Sequence, residues 1–397
     1  MQLPLEGKRV LDLTRNVAGP FATQILAGFG ADVIKVEHPG GDDTRTWGPP
    51  FWGDQSPVFL AANRDKRAIT LDLKQPEART ILERAIERSD VLVESFRPGA
   101  LEQLGFGYDW ARERNARIIY TSVTAYGDTG PMRDMPGYDP IMQAYSGIMS
   151  VTGEPDRPPI RAGVSVVDLG TGMWAAMATL AALMEAEHTG QGTRVVTSLY
   201  ETSLNWMGHH INASWGTGKP SGRWGTGAAM LAPYEAFQTQ DGYLMISCGN
   251  DRLFAQLASI LGRDEWTRDE RFVHNPERVH NRAALKVLIE EQTRGWATDK
   301  LSQALTKAGV PNGPIRDSLA VTRDDQAEAL GIFQGFPHPS LEDFKSIGLP
   351  FTLDGERPPL KRVPPSLGQH NREVLCDLGF AEQDIERLVG SAAMMSA

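Results

Sequence analysis

Residues Ile160–Leu183 read I-R-A-G-V-S-V-V-D-L-G-T-G-M-W-A-A-M-A-T-L-A-A-L. The β-branched run of Val164, Val166 and Val167 predicts a strand, and the Ala/Met/Leu segment beyond Gly172 predicts a long buried helix. Asp168 would then stand where the strand hands over to the helix. Unpaired N–H groups and the positive end of the helix dipole favour an anion there, so an ionised carboxylate is expected. Most Asp residues at helix starts are plain N-caps. Gly163, Gly170 and Gly172 point to a second role, because they strip side chains from both sides of the carboxylate and leave room for a bulky ligand.

Working outward, Arg9–Leu13 is a short apolar strand, after which Phe21, Ala22, Ile25, Leu26 and Phe29 recur at helical spacing up to Gly30. Asp32–Val36, Ala68–Leu73, Val91–Val93 and Arg117–Val123 predict further strands. Between them Pro76 opens a helix whose apolar face is Ala78, Ile81, Leu82, Ala85 and Ile86. Strands alternating with amphipathic helices predict an α/β fold with a doubly wound parallel, Rossmann-like sheet, taking nucleotide-like ligands at the strand C-terminal ends. A dinucleotide-dependent oxidoreductase shares this pattern. The turn after the first strand argues against it: Thr14–Pro20 reads T-R-N-V-A-G-P and lacks the glycine fingerprint that admits a pyrophosphate.

The length of 397 residues suggests two domains. A Gly/Pro/Ser/Thr-rich stretch at 216–228 marks a linker or mobile loop between a large α/β domain (1–215) and a smaller α+β domain (229–322). In the latter, Tyr243–Cys248 reads as a strand, and Asp251–Leu261, Arg282–Thr293 and Thr298–Ala308 as helices. The remainder, 323–397, has an extended, proline-rich part at Pro337–Arg362 and terminal helices at Arg372–Leu378 and Glu382–Val389. With 50 acidic against 40 basic residues, the charge of −10 speaks against nucleic acid or an acidic membrane surface as partner, so an anionic ligand must be held locally. Cys248 and Cys376, far apart, suggest neither a disulfide framework nor a metal cluster, and a reducing cytoplasm fits them. His209 and His210 are adjacent and cannot share a helix face, so no metal site is expected. Neither an apolar leader nor a stretch of ~18 apolar residues is apparent, so no membrane partner is expected.

Seven strings besides the Asp168 context carry a resemblance that runs along essentially the whole chain. They are Val10–Pro20, Gly30–Asp42 (G-A-D-V-I-K-V-E-H-P-G-G-D), Asn63–Lys74 (N-R-D-K-R-A-I-T-L-D-L-K), Asp90–Leu101 (D-V-L-V-E-S-F-R-P-G-A-L), Thr189–Gly192, Gly309–Ile315 and Leu367–Leu375. In this order they resemble the family III CoA-transferases (CaiB/BaiF type), which include formyl-CoA transferase and carnitine CoA-transferase. The resemblance implies that Asp168 is the nucleophile, with coenzyme A running along Val17, His38, Leu71, Lys74, Phe96, Arg97, Ala100 and Gln103. Phe96 would lie near the adenine, and the Arg97 fork matches phosphate oxygens. His38 is a weaker base than the residue usual there, and Gln103 replaces a frequent cation.

A substrate pocket is expected at Trp47, Tyr138, Asp139, Gly225 and Gly227, with Gly225–Gly227, whose glycines allow the backbone to close, as the lid that keeps water from an acyl-aspartyl intermediate. The resemblance also implies an interlocked homodimer and a C-terminal stretch that returns to the large domain. The acceptor is expected to be a short dicarboxylic acid. Its reacting carboxylate faces the like charge of Asp168, so binding energy must come from the far end, where Arg15, Arg45 or Arg223 would grip a second carboxylate and Trp47 would limit its length. Val17 and Val58 stand where oxalate-using relatives carry polar side chains, which disfavours formyl-CoA:oxalate transfer. One alternative is an α-methylacyl-CoA racemase-like enzyme, but Tyr138 then replaces the required His, and a phenol is a poor base at neutral pH. The other is a CoA-binding protein without turnover, which an intact Asp168 argues against.

Overall fold

The computed structural model describes residues 2–394. Six strands, β1 (Arg9–Leu13), β2 (Asp32–Glu37), β3 (Lys66–Thr70), β4 (Val91–Glu94), β5 (Ile119–Thr124) and β6 (Arg194–Ser198), form one parallel sheet in the order β3-β2-β1-β4-β5-β6. The strands β1–β5 are buried along almost their whole length, as strands covered on both faces are. The helices that concern the site are α1 (Ala18–Gly28), α2 (Pro76–Glu87), α3 (Ala100–Gln103), α4 (Asp139–Tyr145), α5 (Val166–Thr189) and α6 (Leu199–Trp206).

One face of the sheet is covered by α2 together with the helices Asn371–Asp377 and Glu382–Val389. Leu11, Ile34, Leu92 and Tyr120 meet Ile81, Leu82, Ile86, Val374, Leu375, Ile385 and Leu388 in a single core. The other face carries α1 and α5, which pack on each other at backbone distance. A Cβ at Gly172 would stand 2.6 Å from the Ala18 carbonyl oxygen, and one at Gly170 would stand 2.5 Å from the Trp206 ring. These two glycines therefore serve helix packing, contrary to the expectation that they clear space for a ligand. Only Gly163 has open space where its side chain would be.

The strand expected at Val164–Val167 does not form. α5 starts at Val166, and Val167 is fully buried. A few β-branched residues cost a helix only tenths of a kcal/mol each, which burial and the cap described below override. At 24 residues, α5 is also long and apolar enough to cross a membrane by length and composition, against expectation, with half of its most apolar window buried in the protein.

The chain divides into two compact units. The first takes everything up to Ser146, Gly163–Gly208 and the chain from Asp325 onward; the second takes Gly147–Ala162 and His209–Asp324. The second unit is built on an antiparallel sheet of β7 (Tyr234–Gln238), β8 (Tyr243–Ser247) and β9 (Asn312–Pro314). Helices Asp251–Ile260, Arg282–Thr293 and Thr298–Lys307 pack on it through Phe237, Leu244, Phe254, Leu257, Leu285, Ile289, Leu301 and Leu305.

Candidate active site

The strand order reverses between β1 and β4, where open parallel sheets receive ligands. The loops following these two strands and β5 line one cavity there, with Arg15, Asn16, Val17, Phe96, Arg97, Arg133, Tyr138 and Asp168 in its wall.

Without a glycine fingerprint, the β1–α1 turn is pinned from below by charge. Asp12, fully buried, accepts from the Thr14 N–H and from the hydroxyls of Thr14 and Thr23. Lys66 Nζ donates to Asp12 at 2.9 Å, to Asn63 and to the Pro20 carbonyl. Lys35 Nζ donates to the Thr14 carbonyl at 3.0 Å and to Asp42 at 2.9 Å. Burial pushes the Asp12 carboxyl up, but the charges of Lys66 and Lys35 outweigh it and hold the group well below the usual carboxylate range. Burial brings Lys66 down to about 8. This network was not anticipated, although its signal is present: a lysine in each of two neighbouring strands, Lys35 in β2 and Lys66 in β3.

Asp168 is the third residue of α5, so the helix's first N–H groups need partners. The Val166 N–H bonds to the Val164 carbonyl, and both the Val167 and Asp168 N–H groups donate to Asp139 Oδ2, at 2.8 and 3.2 Å. Asp139 opens α4, is buried, and receives Gln143 Nε2 on its other oxygen. The carboxylate that the helix end stabilises is thus Asp139, not Asp168. Among the described residues no donor reaches the Asp168 carboxylate. Burial first, and then the Asp139 charge, push its pKa up to about 7. The expectation of a comfortably ionised Asp168 is overturned, because the dipole and the N–H groups are already taken by a second acid.

Val17, Phe96, Arg97 and Tyr138 share the cavity with Asp168. His38, Leu71 and Lys74 line a second cavity with an apolar floor of Leu13, Val36 and Leu73; Arg15 and Phe96 belong to both. Ala100 and Gln103 lie in α3 and line neither, although Leu104 next to them lines the second. Trp47 and Asp139 line neither cavity. Arg45 is committed elsewhere: it bonds Glu37 at 2.7 and 2.8 Å, donates to the Pro365 carbonyl, and stacks on Phe59.

Arg223, Gly225 and Gly227 belong to the second unit. Arg223 donates to the carbonyls of Glu154, Pro155 and Arg157. Gly225, at φ 60°, donates to the Gly153 carbonyl, and a Cβ on it would meet the Glu154 carboxylate at 2.4 Å. The loop is strapped to 147–162 rather than hanging free. Among the charged wall residues, Arg133 is the one that sequence reasoning missed, since a lone Arg in a turn carries no signal that separates it from a surface residue.

A family description headed CoA-transferase family III matches residues 5–371. The chain is 39% identical over 394 residues to the succinyl-CoA:glutarate CoA-transferase of Homo sapiens, covering 98% of this chain and 90% of the relative. It is 37% identical over 387 residues to the succinate–glutarate CoA-transferase of Agrobacterium fabrum, covering 96% and 97%. The crystal structure of a CAIB/BAIF family protein from Brucella suis superposes with a TM-score of 0.87 at 38% identity, covering 95% of this chain and 100% of the other.

Proposed function

The chain belongs to CoA-transferase family III and is an acyl-CoA:carboxylate CoA-transferase, and we propose that Asp168 is its nucleophile and a short dicarboxylic acid, of succinate to glutarate size, its acceptor. An Asp168 oxygen attacks the thioester carbonyl; the C–S bond breaks and CoA leaves as a thiolate, with a mixed anhydride on the enzyme. The thiolate attacks the Asp168 carbonyl, which forms the aspartyl-CoA thioester and releases the donor acid. The acceptor carboxylate then attacks the thioester, giving a new anhydride and free thiolate. Attack of that thiolate on the acceptor's carbonyl yields the new acyl-CoA and restores Asp168. No proton or electron enters or leaves the cycle. The two cavities that meet at Arg15 and Phe96 support a CoA track, with the apolar one suited to the adenine and Lys74 and His38 at its rim.

One observation carries the dicarboxylate reading: the cavity holding Asp168 also holds three arginines, of which Arg15 and Arg133 have only loose ion pairs, at 3.9 Å to Asp43 and 3.6 Å to Asp134. With Arg97 assigned to CoA and Arg45 and Arg223 engaged elsewhere, Arg15 and Arg133 remain for the acceptor's second carboxylate. A charge-assisted hydrogen bond contributes about 1.5–3 kcal/mol, a selectivity of roughly 10- to 100-fold. Wild type is therefore expected to use succinate at least about tenfold better than butyrate in kcat/KM with one CoA donor, and Arg15→Ala or Arg133→Ala to lose that margin. Preference for butyrate, or selectivity intact in both variants, overturns the acceptor assignment.

The interlocked homodimer is part of the same proposal. Its support is the uncovered face of α5, where Met173, Trp174, Met177 and Met184 are 40–65% exposed, a contiguous apolar surface of the kind that marks an association site. Because interlocked chains must partly unfold to separate, sedimentation at nanomolar concentration is expected to give one species of twice the 43.5 kDa chain mass. A monomer under those conditions removes the interlocked arrangement.

A further inference from the structure

A carboxylate in the first turn of a helix ordinarily gains from that turn. The free N–H groups and the dipole stabilise its charge, and an acid at the third position can fold back to cap its own helix. α5 denies Asp168 both gains, because Asp139, 29 residues earlier in the chain, takes the Val167 and Asp168 N–H groups on one oxygen while Gln143 holds the other. Resting on Asp168 as nucleophile, we propose that Asp139 is the positioning residue of the reaction, occupying the N-terminus of α5 so that Asp168 meets the thioester as an undonated carboxylate.

The chemistry rewards this arrangement. Attack turns the Asp168 anion into a neutral acyl group and moves the negative charge onto the thioester oxygen and then the sulfur. A carboxylate tied to its own helix would lose those bonds as it reacted, whereas an undonated one loses nothing, so the barrier from ground state to transition state falls. Asp139 also fixes where the nucleophile points, since two of its contacts are to the backbone of Asp168 and the residue before it. Buried at the start of α4 and lining neither cavity, it acts through the backbone of Val167 and Asp168.

The charged surroundings of Asp168 are few. α4 supplies Asp139 and the Tyr138 phenol at its cap. The cavity wall adds Arg15, Arg97 and Arg133. From α6, the nearest acid, Glu201, is bound by Ser198 Oγ at the cap of its own helix. α1 contributes no titratable group, and the acids of α5 itself, Glu185 and Glu187, lie at its far end.

The test uses full-length protein and two variants. Asp139→Asn keeps an oxygen for the cap and removes the charge; Asp139→Ala removes both. The side-chain carboxyl resonance of Asp168, in protein with isotopically labelled aspartate and identified by its loss in Asp168→Asn, is titrated without substrate. Asp139→Asn is expected to move its midpoint at least about half a pH unit lower than wild type. In turnover, Asp139→Ala is expected to lower kcat by about a hundredfold with the KM for acyl-CoA changed less than about threefold, and Asp139→Asn to recover part of that loss while its acidic limb shifts to lower pH. A midpoint unmoved in Asp139→Asn overturns the proposal, whatever happens to activity. The titration needs no turnover, so it separates failure of this role from failure of Asp168 as nucleophile. If Asp139→Ala does not fold, the Asn variant carries the test alone.

Discussion

Asp168→Ala is expected to lower kcat for CoA transfer by about four orders of magnitude or more, the scale at which removal of a covalent nucleophile operates. Its acyl-CoA affinity should stay within about threefold, because the cavities that would hold the nucleotide and pantetheine are lined by other residues. In wild type, acyl-CoA with hydroxylamine should leave a hydroxamate on Asp168, since both the anhydride and the thioester are trapped by that amine. The pH dependence has a definite sign. The carboxyl, raised from 3.8 to about 7, must lose its proton to attack, so activity climbs through neutrality and falls about tenfold per unit below it.

The same shift supplies a folding control. Between about 4 and 7 the folded chain holds a proton that the unfolded chain releases. This contribution to stability is thus complete below about 4 and gone once the pH passes 7. At pH 8 the alanine variant should melt no lower than wild type. Label on another residue, or a variant within tenfold of wild-type activity, would remove Asp168 from the mechanism.

Asp12→Ala is expected to destabilise the protein by about 3–5 kcal/mol, as removal of one partner from a buried ion network does. Lys66, with no exposure at all, would be left without its carboxylate partner, while Lys35 would keep only Asp42. In urea the midpoint should fall with little change in slope, the mark of lost stability rather than a changed denatured state. Adding Lys66→Met removes the stranded charge, so the double variant should regain part of the loss, a coupling expected between contacting groups. A shift below about 1 kcal/mol in Asp12→Ala would mean that the turn is held by other means. Asp12 lines neither of the two cavities at the site, so the unfolding result reads the turn's support and not a ligand contact.

Five of the six strands were readable because period and punctuation agreed; β6 was not anticipated. Arg9–Leu13 and the helix at Pro76 have apolar residues bounded by strong turn or proline signals, and they stand where expected. The failure at Val164–Val167 has a local cause: three valines satisfy a strand pattern, and nothing nearby in sequence reveals that the cap comes from Asp139. The position of Asp168 was therefore readable while its electrostatics were not, because both the burial and the opposing acid are tertiary. Arg45 shows the converse error. Beside a tryptophan in a motif loop it suggests a substrate clamp, yet Glu37, the last residue of β2, already satisfies it.

The core that closes one face of the sheet joins Leu11 and Ile34 to Val374, Leu375 and Leu388, and β3 is tied at its edge by His370 and Asn371, about 300 residues later. Closing a loop of that length costs on the order of 5 kcal/mol in chain entropy, with no local contact to offset it on the way. During synthesis the strands and α2 leave the ribosome long before their cover exists. Until the last helices arrive, Leu11, Ile34, Ile69 and Leu92 face water in a partly assembled sheet. The large unit therefore completes its folding only after the helices Asn371–Asp377 and Glu382–Val389 have left the ribosome, and a chain stopped short of Asn371 presents that apolar face as a surface for aggregation or for chaperones.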